Sequence, residues 1–155
     1  MKFSTREDVE VPIDQAFGII CDFDAYERSA MRRGAEVLRT DSLSRPGVGM
    51  KWQAAFKMRG KMRDINLEMV GFDKPNKLRV LSSTSGIDGA GQIELVAVSR
   101  NRPRISVEFE LKPVNLSARL LVQSLKLAKN SLNKRYKLRI AEYAKSIEDR
   151  HKSGT

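Results

Sequence analysis

Residues 115–153 read NLSARLLVQSLKLAKNSLNKRYKLRIAEYAKSIEDRHKS, and neither proline nor glycine interrupts them before Gly154. Asn115 is a natural N-cap, a short side chain that accepts a hydrogen bond from the free amides of a first turn. Ala118, Leu121, Leu125, Ala128, Leu132, Tyr136, Ile140, Tyr143 and Ile147 then step by three or four residues, the spacing of one helical face. The stripe predicts one unbroken helix of about eight turns at 3.6 residues per turn. A helix that long, apolar along one side, must lie against something equally long.

The preceding sequence supplies it. In residues 50–58, Met50, Trp52, Ala54, Phe56 and Met58 alternate with Lys51, Gln53, Ala55 and Lys57. Side chains on a strand point alternately to opposite faces, so this is a strand with one apolar side. Arg59-Gly60 is a hairpin turn, and 61–72 pairs back with Ile65, Leu67 and Met69 on one face. Asp73-Lys-Pro-Asn76 is a further turn, followed by a strand over 77–84. Gly86 to Gly91 reads as a glycine-rich turn, 92–99 as a strand and Asn101-Arg-Pro103 as a turn. Ile105, Val107, Phe109 and Leu111 alternate through a last strand. Residues 35–41 form a short strand before Ser44–Gly49.

Toward the amino terminus, 2–11 reads as a strand ending in Val9-Glu-Val11. Pro12 and Asp14 open a helix with Ile13, Phe17, Ile20 and Cys21 on one face. Asp24, with Glu27 three residues on, reads as a capping box for a second short helix through Met31, ended by Gly34.

Strands joined by such short connections pair antiparallel. The fold class is α+β: a strongly curved antiparallel sheet of about seven strands, two short helices after the first strand, and the long C-terminal helix across the concave face. A helix laid over a curved sheet leaves volume that side chains or a ligand must fill. With only 6% aromatic residues, bulky filler is scarce.

This arrangement resembles the helix-grip fold of the START-like superfamily, which includes polyketide cyclases and dehydrases (SRPBCC), pollen-allergen-type ligand binders and lipid-transfer domains. The residues that carry the resemblance are Val9-Glu-Val-Pro-Ile-Asp-Gln-Ala-Phe17, Asp22-Phe-Asp-Ala-Tyr26, Gly49-Met-Lys-Trp52, Asp73-Lys-Pro-Asn-Lys-Leu78 and the closing helix. Tyr26 stands where the family commonly has Trp. The resemblance covers about residues 2–148 and implies an apolar cavity between sheet and helix. It implies no particular reaction, because one fold hosts both enzymes and carriers.

The 155 residues suit one domain, expected over 1–150 as a START-like ligand-binding domain, with 151–155 a frayed tail. One cysteine allows no internal disulfide, and one histidine no multi-histidine metal site. No apolar run approaches a membrane span, and MKFSTREDVE lacks the apolar core of a secretion signal. The expected setting is the cytoplasm. The net charge of +10 is uneven: 115–155 holds ten Lys or Arg and three acids. Such a segment fits a solvated basic helix face, an anionic membrane or an acidic partner.

No catalytic constellation emerges. His151 falls in the expected tail, away from any fixed position a general base needs. Cys21 reads as a buried inert thiol. Gly86–Gly91 lacks the lysine of a phosphate loop and joins two strands. The Lys57–Arg63 hairpin offers Arg59, Lys61 and Arg63 as weak contacts for an anionic group.

The residues therefore point to binding or transport of a hydrophobic or amphipathic small molecule, such as a lipid, polyketide or isoprenoid-like compound, without a cofactor or metal. The expected lining is Trp52, Phe56, Leu67, Val80, Val107, Phe109, Leu121, Leu125 and Leu132. The alternative is a cyclase or dehydrase-type enzyme in the same cavity, working mainly by positioning. The third reading is a basic membrane-surface or protein-interaction module. Leu116, Leu120, Leu127 and Leu138 form a second ridge on the long helix, beside Arg119, Lys126, Lys134 and Lys137. A homodimer through Leu120 and Leu127, or a weak contact with an anionic membrane, would use it. Few aromatics and no exposed stacking pair argue against nucleic acid.

Overall fold

The chain opens with β1 (Lys2–Asp8), followed by α1 (Ile13–Ile20) and α2 (Phe23–Arg32). Then come β2 (Glu36–Arg39), β3 (Lys51–Met58), β4 (Lys61–Asp73), β5 (Lys77–Thr84), β6 (Ile87–Ser99) and β7 (Arg102–Pro113). Two helices close the chain, α3 (Leu116–Leu127) and α4 (Lys129–Lys152). This computed structural model describes residues 1–154; Thr155, the last residue of the expected tail, lies outside the described residues. His151 and Lys152 belong to the last turn of α4.

The seven strands form one antiparallel sheet in the order β1-β7-β6-β5-β4-β3-β2. Two adjacent rows of register fix the inner face: Trp52 opposite Leu67 and Leu67 opposite Ser82 in one, and Met69 opposite Val80, Val80 opposite Gly91 and Phe109 between Gly91 and Phe3 in the other. The alternation of β3 holds. Met50 and Trp52 are buried, Ala54 and Phe56 half-buried, and only Met58, near the hairpin tip, reaches solvent at 46% exposure. The main core lies beneath α1 and the far end of α4, where Val9, Val11, Phe17, Met69, Leu95, Ile105 and Ile147 are fully enclosed.

Three sequence expectations are corrected. The C-terminal helix is two helices. At Ala128 the backbone amide reaches back to Leu125 O, 3.0 Å away, and φ −103° with ψ 17° interrupts the helix for that residue. The cause is what each half rests on: α3 lies on β7 through Ala118 and Val122, whereas α4 lies on β1 and α1. A straight rod cannot follow both parts of a curved sheet. Residues 126–131 are all exposed, so nothing buried holds the junction straight.

Asp24 is not the cap of α2. Asp22 is: its Oδ1 accepts from the Ala25 amide at 3.3 Å and its Oδ2 pairs with Arg150 at 2.8 Å, tying α2 to α4. The Arg150 hydrogen bond holds the Asp22 carboxyl below its ordinary pKa.

The glycine-rich segment is mostly strand. The turn is Ser85-Gly86, both at positive φ, and β6 already runs at Ile87. Gly89 and Gly91 leave room for the Phe109 ring, which would sit 3.5 and 3.9 Å from a Cβ added at each. Glycine inside a strand here marks a close approach, not a bend.

Candidate functional site

Between the sheet and the helices lies a cavity of about 440 Å³. Ile20 closes it from α1, Phe23, Tyr26, Glu27 and Ala30 from α2, and Ile140 and Tyr143 from α4. The sheet contributes Val37, Trp52, Ala54, Leu67, Leu78, Val80, Ile93 and Val107. On α2 the four lining residues recur at i, i+3, i+4 and i+7, which is why one helix turns all of them inward. Nearly every wall atom is hydrocarbon or aromatic ring.

The exceptions gather at the α2 end. The Tyr26 hydroxyl donates to the Ile20 carbonyl at 2.6 Å and is hydrogen-bonded to the Tyr143 hydroxyl. A carbonyl only accepts. Tyr26 has one proton and spends it on Ile20, so Tyr143 is the donor to Tyr26. Burial pushes both phenols up, Tyr143 to about 12 and Tyr26 further, its neighbour's charge adding to the effect. Glu27 stands beside them, its Oε2 buried and without a hydrogen-bond partner. Desolvation raises the Glu27 pKa, the Asp24 charge adds to it, and Arg39 and the Trp52 indole oppose it. Arg39 forms no ion pair with Glu27. Its Nε and second guanidinium nitrogen go to Asp41 at 2.8 and 2.6 Å, and its guanidinium lies 5.5 Å from the Trp52 ring centroid.

Of the nine expected lining residues, Trp52, Leu67, Val80 and Val107 meet at this cavity. Phe56 faces a neighbouring surface hollow that shares Tyr26 and Ala30 with it. Phe109 is laid over Gly89 and Gly91 instead. Leu121 and Leu125 are half-buried on α3, and Leu132 is half-buried on α4; none borders the cavity. Arg59 and Lys61 are exposed at the β3–β4 turn, whereas Arg63 points inward with its Nε buried and unpartnered. The outer ridge is solvent-facing: Leu116, Leu120, Leu127 and Leu138 are 73%, 59%, 92% and 59% exposed. Cys21 is half-buried, its thiol raised to about 11 by desolvation.

Sequence reasoning missed Tyr26, Glu27 and Tyr143 as a group. The available signal was Glu27 itself, a charged residue inside the apolar stripe Phe23, Tyr26, Ala30 of a short helix. Reading it as a capping partner hid that.

A second hollow of about 490 Å³ lies on the outer face of the sheet, among Lys51, Glu68, Arg79, Asp88, Glu110 and Lys112. Its mixed charges describe a solvated surface. Among the described residues, no helix is long and apolar enough to cross a membrane.

Solved structures share this architecture across nearly the whole chain. The aromatase/cyclase Zhui from Streptomyces sp. R1128 is 11% identical, with a TM-score of 0.65 over 97% of this chain and 94% of that one. Norcoclaurine synthase from Thalictrum flavum, in complex with dopamine and hydroxybenzaldehyde, is 13% identical, with a TM-score of 0.65 over 100% and 88%. A START superfamily protein from Mycobacterium smegmatis is 12% identical, with a TM-score of 0.55 over 86% and 95%. The chain therefore has the START-like helix-grip fold. No family model matches the sequence. No curated protein matches it either.

Proposed function

We propose that the protein binds a hydrophobic or amphipathic small molecule in the cavity between sheet, α2 and α4. One observation carries this reading: an apolar-walled space of about 440 Å³ with its few polar groups gathered at one end. Pockets of about 300–1,000 Å³ with apolar walls and a small number of placed polar groups are what small-molecule sites look like. Binding would draw on buried apolar area at about 25 cal/mol per Å². The structural neighbours support the reading in kind, since one was solved with two small aromatic molecules bound.

The test is native mass spectrometry of the freshly purified protein, followed by titration with the neutral apolar dye N-phenyl-1-naphthylamine. A co-purifying adduct lost on denaturation, or dye binding abolished by Ala54→Phe, supports the site. Bare protein mass together with no dye binding overturns it.

A reaction in the same cavity is the second reading, favoured by Glu27. It is the one carboxyl in the cavity wall, and a general acid or base must stand within hydrogen-bond reach of the reacting group. Turnover lost in Glu27→Gln with binding retained would separate an enzyme from a carrier.

A further inference from the structure

The outer side of α3 carries a row of leucines open to solvent. Leu116, Leu120 and Leu127 stand at i, i+4 and i+11, within about 40° of one another at 3.6 residues per turn, and all three are exposed. Ala118 and Val122 occupy the opposite side and are buried. Arg119 and Lys126, seven residues apart, run along one flank of the row, and Ser117 and Ser124 along the other. Between residues 115 and 141 the chain holds seven Lys or Arg and no acid. All seven are exposed, and among the described residues none of them forms an ion pair.

A second patch of the same composition stands at the end of the sheet where α3 begins. β3 and β4 close at Met58 opposite Lys61, β5 and β6 close at Thr84 opposite Ile87, and Ile87 faces Pro113 at the end of β7. The β3–β4 turn and the entry to α3 therefore share one end of the sheet. At that turn Met58 and Met62 are exposed among exposed Lys57, Arg59 and Lys61.

We infer that the outer side of α3, with the β3–β4 turn, docks on a lipid bilayer that carries anionic headgroups. The leucines and methionines enter the boundary between headgroups and acyl chains, and the cations stay among the phosphates. Among the described residues no helix can cross a membrane, and an apolar row flanked by cations is the pattern of a helix that lies in the bilayer surface. A second copy of the chain would set seven cations against seven. A nucleic acid would answer the cations and leave the leucines in water. An anionic bilayer answers both. The inference does not depend on the cavity holding a ligand.

The test is co-sedimentation with vesicles of phosphatidylcholine alone and of phosphatidylcholine mixed with phosphatidylglycerol. Each Lys or Arg held near an anionic surface is worth about fivefold in affinity, so two engaged cations give about a thirtyfold preference for the mixed vesicles. That preference should collapse between about 0.1 M and about 1 M salt, as the screening length falls from about 10 Å to about 3 Å. Leu120→Gln with Leu127→Gln changes no charge and should weaken binding to the mixed vesicles by about tenfold or more. Both positions are exposed, and circular dichroism verifies that the fold is kept. Lys126→Gln with Lys129→Gln should also weaken binding. Arg100→Gln with Arg102→Gln removes the same charge from the β6–β7 turn, at the opposite end of the sheet, and should weaken it less. Equal binding to the two vesicles, or binding to neither, overturns the inference. So does binding to the mixed vesicles that the leucine pair leaves unchanged, or that the lysine and arginine pairs weaken equally. A dimer in sedimentation that the leucine pair dissociates would give the row to a second copy and overturn it as well. Each of these failures leaves the cavity reading intact.

Discussion

Tyr143 on α4 donates its proton to Tyr26 on α2, and Tyr26 passes its own to the end of α1 at Ile20. Three helices thus share two hydrogen bonds at the polar end of the cavity. Removing the two hydroxyls should not be equivalent. Tyr143→Phe leaves the Tyr26–Ile20 bond in place and should cost about 0.5–1.5 kcal/mol. Tyr26→Phe removes both hydrogen bonds and should cost more, about 1–3 kcal/mol. Urea unfolding of the two variants measures this. The reverse order would mean that the protons run the other way.

The same burial has an alkaline signature. Tyr26, Tyr136 and Tyr143 are all the tyrosines of the chain, and each is raised, Tyr136 and Tyr143 to about 12. Each folded-state pKa lies above the unfolded value of about 10. Deprotonation is therefore easier in the unfolded chain, and stability falls as pH rises from about 10 toward the folded values. Phenolate absorbance should appear late and together with unfolding; a titration near the ordinary value with the fold intact would contradict it.

At the acid end the sign reverses. Asp41, 6% exposed, accepts from Arg39 and from the Lys51 and Leu43 amides, and these bonds hold its carboxyl well below the usual range. A depressed folded pKa gives stability that is present above the unfolded value of about 3.9 and lost as pH falls through the folded one. Asp41→Asn should be less stable near neutral pH. Its acid-unfolding curve, followed by circular dichroism, should also be flatter below about pH 4. Parallel curves would remove Asp41 from the acid transition.

Gly86 combines two constraints. Its φ is +79°, and a Cβ there would fall 2.2 Å from the side-chain nitrogen of Asn115. Asn115 Oδ1 caps α3 through the Ala118 amide at 2.8 Å. Gly86→Ala should cost about 1–2 kcal/mol for the left-handed backbone alone and also displace the cap. Amide exchange would show the added loosening in the first turn of α3, with α4 unchanged; uniform loosening would mean that the cap does not depend on Gly86.

Trp52, the only tryptophan, is 8% exposed and borders the cavity. Its emission should be blue-shifted and should change when N-phenyl-1-naphthylamine enters. A red-shifted emission freely quenched by acrylamide would place β3 with its other face inward.

The sheet was legible because β3 alternates strictly and the turns after it are short. Each local choice, from Lys51 outward to Trp52 inward, agreed with the next. The break at Ala128 was not legible. Leu125, Ala128 and Leu132 keep helical spacing across it, and the cause lies in the shape of the sheet beneath. The cavity was legible as a volume, and four of its walls by residue, because inward strand positions follow from parity alone. Which helix closes it was not. α2 is short, its Glu27 looks like a cap, and only the tertiary placement of α4 brings Tyr143 against Tyr26. Phe109 shows the opposite limit: parity turned it inward correctly, but two glycines on β6 gave its ring somewhere else to lie.

The exposed leucines of α3 and α4 bear on colloidal behaviour. Leu120, Leu127 and Leu138 stand among Arg119, Lys126, Lys134 and Lys137, in a segment with ten basic and three acidic residues. Two molecules approaching along this side meet charge before they meet hydrocarbon. The repulsion reaches about 10 Å in 0.1 M salt and about 3 Å in 1 M salt. Dilute buffer should therefore keep the protein dispersed, and concentrated salt should bring on clustering, the opposite of a surface joined by ion pairs. A concentrated stock is best kept at low ionic strength, and light scattering against added salt should rise less steeply once Leu127 is replaced by Gln.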